Sequence, residues 1–259
     1  MKIMSWNVNG VGTCLEELRL FLLEHEPDIL CLQETKAIDA KVENWLQEFE
    51  ACYPYQSRLD AKMKGYSGMI CLSKVPPLDY QEGFRVDDLD QEGRLQVLTY
   101  SDFSLLNVYL PSIHSRSSLK RQNYRMMFDD ALLDKIESLQ ASGVVLVCGD
   151  LNAACSKEDM SNNHQRYGGL DSGFMREDDQ TLTGLMELGL VDSFRWKYPD
   201  KNDAYTWWSN KNGKREKNQG CRLDYILLSK ELATYIKAAN IYTKVAGSDH
   251  CPIGVELAL

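Results

Sequence analysis

Eight short runs rich in leucine, β-branched and aromatic residues are spaced along the whole chain: KIMSWNV at 2–8, DILCLQE at 28–34, SGMICLS at 67–73, GRLQVLTY at 93–100, SLLNVYLP at 104–111, VVLVCGDLN at 144–152, CRLDYILLS at 221–229 and CPIGVELAL at 251–259. Runs of this length and composition predict strands. Between some of them apolar residues recur at three- and four-residue spacing: Leu15, Leu18, Phe21 and Leu22, then Met126, Met127, Leu132, Leu133, Ile136 and Leu139. That spacing predicts helices presenting these stripes to a core. Several strands are almost unbroken apolar runs and so need cover on both faces. Helices packed outside two stacked sheets would supply it. No low-complexity linker interrupts the alternation, and 259 residues suit one α/β domain, so a single domain over 1–259 is expected. The polar stretch from Ser156 to Asp179 reads instead as a long surface loop, of a kind that is often functional.

No run approaches the roughly 18 apolar residues a membrane helix needs, so no membrane partner is expected. The first residues turn polar at Trp6-Asn7, which excludes them as the apolar centre of a signal peptide. A cytoplasmic protein is expected, nucleoid-associated in a bacterium or archaeon. The cysteines agree. Cys31, Cys71 and Cys148 lie inside apolar runs, where cysteine behaves as a small hydrophobe, and no spacing matches a zinc pattern. A net charge of −9 counts against a polyanionic partner, although binding depends on where local charge sits. Lys211, Lys214, Arg215, Lys217 and Arg222 form one basic stretch, and Lys62 and Lys64 bracket another polar segment. On composition alone these are solvated charges.

The informative pattern is how the strands stop. Asn7 ends the first, Glu34 the second, Tyr109 a middle one, and Asp150 with Asn152 the next; Asp224 sits in a late strand and Asp249-His250 precede the last. Singly, each reads as a turn or cap residue. Six together, if they converge, make a cluster of hard oxygen donors with one histidine. Mg2+ prefers such donors and is often held by one or two carboxylates plus a substrate phosphate. A single histidine without a cysteine cluster disfavours zinc. The residues therefore point to metal-assisted phosphoester hydrolysis, and no further.

Ordered motifs narrow this. WNVNG at 6–10, PDILCLQETK at 27–36, GYSG at 65–68, DQEGR at 90–94, VYLP at 108–111, GDLN at 149–152, LVDSFR at 190–195, YTWWS at 205–209, RLDYILLS at 222–229 and GSDHCPI at 247–253 run collinearly from end to end. Each is weak alone; the ordered set is specific. In it the chain resembles the exonuclease III family of abasic-site endonucleases, within the endonuclease/exonuclease/phosphatase superfamily. The resemblance implies an α/β fold of four layers, a DNase I-like sandwich of two packed mixed sheets flanked by helices. It implies Glu34 as the main metal carboxylate, completed or supported by Asn7 and Asp249, with Mg2+ (or Mn2+) as cofactor. A second metal site at Asp150, Asn152 and His250 is left open. Asp150 is implied to orient or deprotonate the attacking water, with protonation of the leaving group as the alternative, and Asn152 to position the nucleophile. His250, held by Asp224, and Tyr109 are implied phosphate contacts. Asn9, Lys36, Tyr66 and Ser112 fall on the implied DNA surface. Trp207, Cys221 and Leu223 stand where an extruded abasic sugar is received, which is inexpensive because a nucleotide without a base has little stacking to lose.

Three departures concern recognition. Cys221 occupies a position commonly tryptophan, which predicts an opened sugar pocket. Ser112-Ile113-His114 replaces an Asn- or Gly-rich turn. The loop 156–173 lacks much of the usual asparagine pattern, with Asp171 where asparagine is common. The implied function is an Mg2+-dependent DNA phosphodiesterase of base excision repair. It would cut 5′ to abasic sites in double-stranded DNA, act on 3′ ends as an exonuclease, and work as a monomer. Another phosphoester hydrolase or a nonspecific nuclease of the same superfamily is the nearest rival. A silent DNA-binding protein would need a lost metal or nucleophile residue, and none is lost.

Overall fold

A computed structural model of the chain describes residues 1–37, 40–113, 118–161 and 180–259. The strands are β1 (Lys2–Asn7), β2 (Ile29–Gln33), β3 (Tyr55–Leu59), β4 (Met69–Ser73), β5 (Asp79–Glu82), β6 (Leu95–Thr99), β7 (Ser104–Tyr109), β8 (Val145–Asp150), β9 (Leu190–Asp192), β10 (Asp224–Ser229), β11 (Ile236–Ile241) and β12 (Ile253–Leu257). They form two six-stranded sheets, ordered β11-β12-β1-β2-β4-β3 and β5-β6-β7-β8-β10-β9. Each sheet holds one parallel pair crossed over by a helix. Leu15–His25 joins β1 to β2, and Leu119–Gln140 joins β7 to β8.

Side-chain alternation along a strand separates the layers. Ile3, Ile29, Cys31 and Cys71 of the first sheet meet Leu105, Leu146, Cys148 and Ile226 of the second. Their neighbours face outward: Met4, Trp6, Leu30 and Leu32 pack on Leu18, Phe21, Leu22 and Trp45. Leu106, Val145 and Val147 pack on Phe128, Leu132, Ile136 and Leu182. Three apolar layers between four of secondary structure give the expected sandwich. All eight cysteines are unpaired.

Two expectations change. Met126 and Met127 are more than half exposed, and the buried stripe of Leu119–Gln140 is Arg125, Phe128, Leu132 and Ile136. Four strands had no apolar signature, and β3, β5, β9 and β11 are the outermost strands of the two sheets. An edge strand covered on one side only needs no continuous apolar run. Asp171 and the rest of 162–179 lie outside the described residues, as does His114.

Between the sheets, just below one end, runs a polar seam. Gln33 of β2 donates to Asn107 of β7 (2.7 Å) and to Ser5 of β1 (2.8 Å), and Asn107 donates to Gln96 of β6 (2.9 Å). These bonds join the two sheets where the strand ends converge.

Candidate active site

Register brings the strand ends together. Asp150 pairs with Tyr109 across the parallel β7–β8 ladder and with Asp224 across the antiparallel β8–β10 ladder. Asn7 ends β1 beside Gln33, one residue before Glu34. Gly149 allows the close approach. Its φ is +138°, and a Cβ there would lie 1.9 Å from the Val108 carbonyl oxygen. Only glycine fits.

His250 is buried against two acids, with Nδ1 2.9 Å from Asp224 Oδ2 and Nε2 3.8 Å from Asp150 Oδ2. Burial alone would lower the imidazole's pKa, but Asp224 and then Asp150 outweigh it and push it up to about 10. The imidazolium is the resting form at neutral pH. Burial pushes the Asp150 carboxyl up to about 7, with His250 opposing and Asp224 reinforcing; the Asn152 N–H and the Asn7 amide also pull it down. The two groups titrate as a pair.

Asn7 aims the carboxylates. Its Nδ2 donates to Asp150 Oδ2 (2.8 Å) and Glu34 Oε2 (3.2 Å), while its Oδ1 accepts from the Asn9 backbone N–H (3.0 Å). Glu34 Oε1 pairs with Lys36 Nζ (2.9 Å), which also donates to Asn9 Oδ1 (2.7 Å). Asn9 Nδ2 and Trp207 Nε1 hold the two oxygens of Asp249, at 2.9 and 3.1 Å. Glu34, Lys36, Asn9 and Asn152 all take left-handed backbone, with φ between 45° and 53°. Asparagine tolerates this region; glutamate and lysine there are strained and persist because their surroundings fix them. For Lys36 that fixing is visible, since its N–H bonds to Ser67 O (2.8 Å) of the GYSG loop.

Tyr109 is buried and hydrogen-bonds to Glu34. Burial, then the Glu34 charge, pushes its phenol well up, so it remains a donor. Arg94, inside the DQEGR motif, is a further residue of the site. Buried, it stacks on Tyr109 at 4.3 Å and donates to Tyr66 Oη (3.0 Å) and Glu92 (2.6 Å), tying the Tyr66 loop to the site. Tyr66, Lys36, Asn9 and Trp207 are half-buried around the site and Ser112 is exposed beside it.

The recognition residues divide. Cys221 and Leu223 are buried in a cluster with Ala154 and Met160, with Trp207 packed on it. Among the described residues, Met160 and Trp207 pack where the small residue at 221 was expected to leave an opened pocket. Arg222 is not on the surface either. It is fully buried and donates to both oxygens of Asp159, at 2.8 and 2.9 Å. Arg215 points inward to backbone carbonyls. Of the basic stretch, Lys211 and Lys217 are the exposed members.

Asp150, Asp224 and His250 offer ligand atoms all within 4.8 Å of one another, and Asp224 Oδ1 is buried with no hydrogen-bond partner. Glu34 stands at the open side, one-fifth of its side chain exposed. Oxygen donors of this kind fit a hard divalent cation. A buried, cationic histidine between carboxylates, a protonated phenol and an open carboxylate together provide for charge on a phosphoryl group and for a proton to leave water. That places the chain among metal-using phosphoester hydrolases. Residues 4–250 match the Endonuclease/Exonuclease/phosphatase family, and the chain belongs to it. It is 39% identical to an exodeoxyribonuclease of Bacillus subtilis, over 98% of each chain. It is 37% identical to a DNA-(apurinic or apyrimidinic site) endonuclease of Dictyostelium discoideum, over 100% of this chain and 71% of that one. An AP endonuclease from Archaeoglobus fulgidus superimposes with a TM-score of 0.87 at 25% identity, covering both chains completely.

Proposed function

We propose that the whole chain is one endonuclease/exonuclease/phosphatase domain acting as an Mg2+-dependent DNA phosphodiesterase that cuts 5′ to abasic sites and trims 3′ ends. The observation that carries this reading is the buried His250–Asp224 pair meeting Asp150, Tyr109 and Glu34 at one edge of both sheets. Similarity over essentially the whole of this chain to an exodeoxyribonuclease and to an AP endonuclease supports DNA as the substrate. Glu34 would hold Mg2+, with Asp249 beside it, and Mn2+ could substitute. When bound, the ion supplies Lewis-acid stabilisation of phosphate charge. Asn7 serves by orienting Glu34 and Asp150.

In this mechanism the P–O3′ bond breaks as the water oxygen bonds to phosphorus, and the 3′ oxygen leaves as a hydroxyl with a proton from solvent. Asp150, once ionised, takes a proton from the attacking water. Asn152 sets its direction, since the Asn152 N–H donates to Asp150 Oδ1 (2.9 Å). His250 donates from Nε2 to a nonbridging phosphate oxygen, and Asp224 keeps it charged. Tyr109 donates a further hydrogen bond. A second ion, if one is used, would sit at Asp150 and His250, whose ligand atoms lie with that of Asp224 within 4.8 Å of one another. Asn9, Lys36, Tyr66, Ser112 and Trp207 line the strand path. The test is a gel assay with a single-abasic-site duplex, a blunt duplex and a nicked duplex, with Mg2+, with Mn2+ and with chelator. A cut leaving an extendable 3′-hydroxyl, lost on chelation, is expected. No cleavage of any substrate with either metal refutes the reading.

A further inference from the structure

Asp249 and His250 are carried on a segment, residues 242–250, that belongs to no strand. An isolated antiparallel bridge between His250 and Trp207 is its one ladder-type contact among the described residues, so other groups must hold the rest. Ser248 Oγ donates to Asn7 O (2.8 Å), and the Trp208 N–H bonds to Asp249 O (3.0 Å). A further holder is Arg215, from the turn-rich segment that follows YTWWS. Its Nη1 donates to Ser248 O at 2.7 Å, and its Nη2 donates to Val245 O at 2.6 Å and Thr243 O at 3.1 Å. Its guanidinium lies over the Trp208 ring at 4.7 Å, and Trp208 is itself buried.

We propose that Arg215 is a positioning residue for the hydrolysis, a clamp that fixes the loop delivering Asp249 and His250, and not a phosphate contact. Both terminal nitrogens are engaged by carbonyls, and one face of the guanidinium is covered by indole. Three acceptors spread over Thr243 to Ser248 call for a planar fork. A lysine would keep the charge and lose the fork. The proposal rests on the hydrolase reading for its kinetic consequence, and its geometric part stands apart from it.

Arg215→Lys separates clamp from charge. A displaced reacting group costs about 10²-fold in rate, so kcat on an abasic-site duplex should fall by about 10- to 100-fold, while KM, DNA affinity and the salt slope of binding stay near wild type. Arg215→Ala should show the same split and regain kcat with added methylguanidinium. Melting temperatures establish that each variant is folded, and Arg215→Gln replaces the alanine variant if that one is not. Wild-type kcat in Arg215→Lys overturns the proposal. So does an Arg215→Ala salt slope reduced by about one, the mark of a lost phosphate contact. Should the wild-type protein cleave no DNA, the hydrolase reading fails and the clamp is read by hydrogen exchange. Amides of 243–250 should then exchange faster in Arg215→Lys, and unchanged exchange overturns it.

Discussion

Replacing Asp224 by asparagine should move the whole pH–rate profile toward acid. The proposed mechanism requires Asp150 ionised and His250 protonated, so the wild-type profile should be a bell with an acid limb near 7 and an alkaline limb near 10. A carboxylate about 4 Å from the imidazolium charge favours the cation by about 4 kcal/mol at an effective permittivity of about 20. One pH unit corresponds to about 1.4 kcal/mol, so losing Asp224 should bring the alkaline limb down by about 2 to 3 pH units, Asp150 retaining part of the effect. The acid limb should drop as well, because Asp224 reinforces the upward push on Asp150. Turnover at the optimum should fall by about 10²–10⁴-fold, since a carboxamide also permits the wrong imidazole tautomer. The stability sign follows from the same group. A histidine whose folded pKa lies above its unfolded one contributes stability fully below pH about 6.5 and loses it as pH rises through about 10. Wild type should thus lose melting temperature between pH 7 and 10 more steeply than the variant. Single-turnover cleavage of an abasic-site duplex from pH 5.5 to 10.5 at saturating Mg2+ measures the limbs. An alkaline limb that stays in place in a folded Asp224→Asn protein refutes the pairing of these residues as the source of the charge.

Glu34→Gln should need much higher Mg2+ for activity, read from titrations of rate against the ion; wild-type activation at low Mg2+ would remove Glu34 from the metal site. Gly149→Ala should cost more than about 3 kcal/mol in urea unfolding, because a Cβ 1.9 Å from Val108 O forces β7 and β8 apart. A cost below 1 kcal/mol would mean that the ladder gives way easily. Cys221→Trp should destabilise by about 1–3 kcal/mol through overpacking against Met160 and Leu223, without raising preference for abasic over intact DNA. A stable variant with a raised preference would show that the pocket opens in solution.

How much of this was legible in the sequence depended on where each residue sits. The inner strands declared themselves, because a strand covered on both faces must be apolar throughout. The outer strands did not; β5 is DYQE, and nothing in four polar residues distinguishes it from a turn. The residues that converge were legible as polar ends on apolar runs, and the collinear motifs implied the roles proposed for them. Gln33 and Asn107 were hidden inside such runs, where a lone amide gives no sign of its partner across the sandwich. Arg215 and Arg222 misled for a related reason. Positive charge in a row reads as solvated surface, yet a guanidinium that finds carbonyls or carboxylates nearby is spent within the fold. Cys221 misled through volume, because the sequence shows the missing ring and not Met160 closing over the gap.

The order β11-β12-β1 has a consequence for how the chain comes to be folded. Met4 pairs with Gly254, so the central strand of the first sheet acquires one of its two neighbours only from residues 250 positions away. Contacts of that separation are slow to form. Until β12 arrives, β1 presents an open edge of backbone donors and acceptors, the kind of surface on which chains aggregate. Asp249 and His250 lie immediately before β12, so the step that covers this edge also completes the site. Incompletely folded chains should therefore be both adhesive and inactive, with catalytic competence and colloidal safety gained in one event.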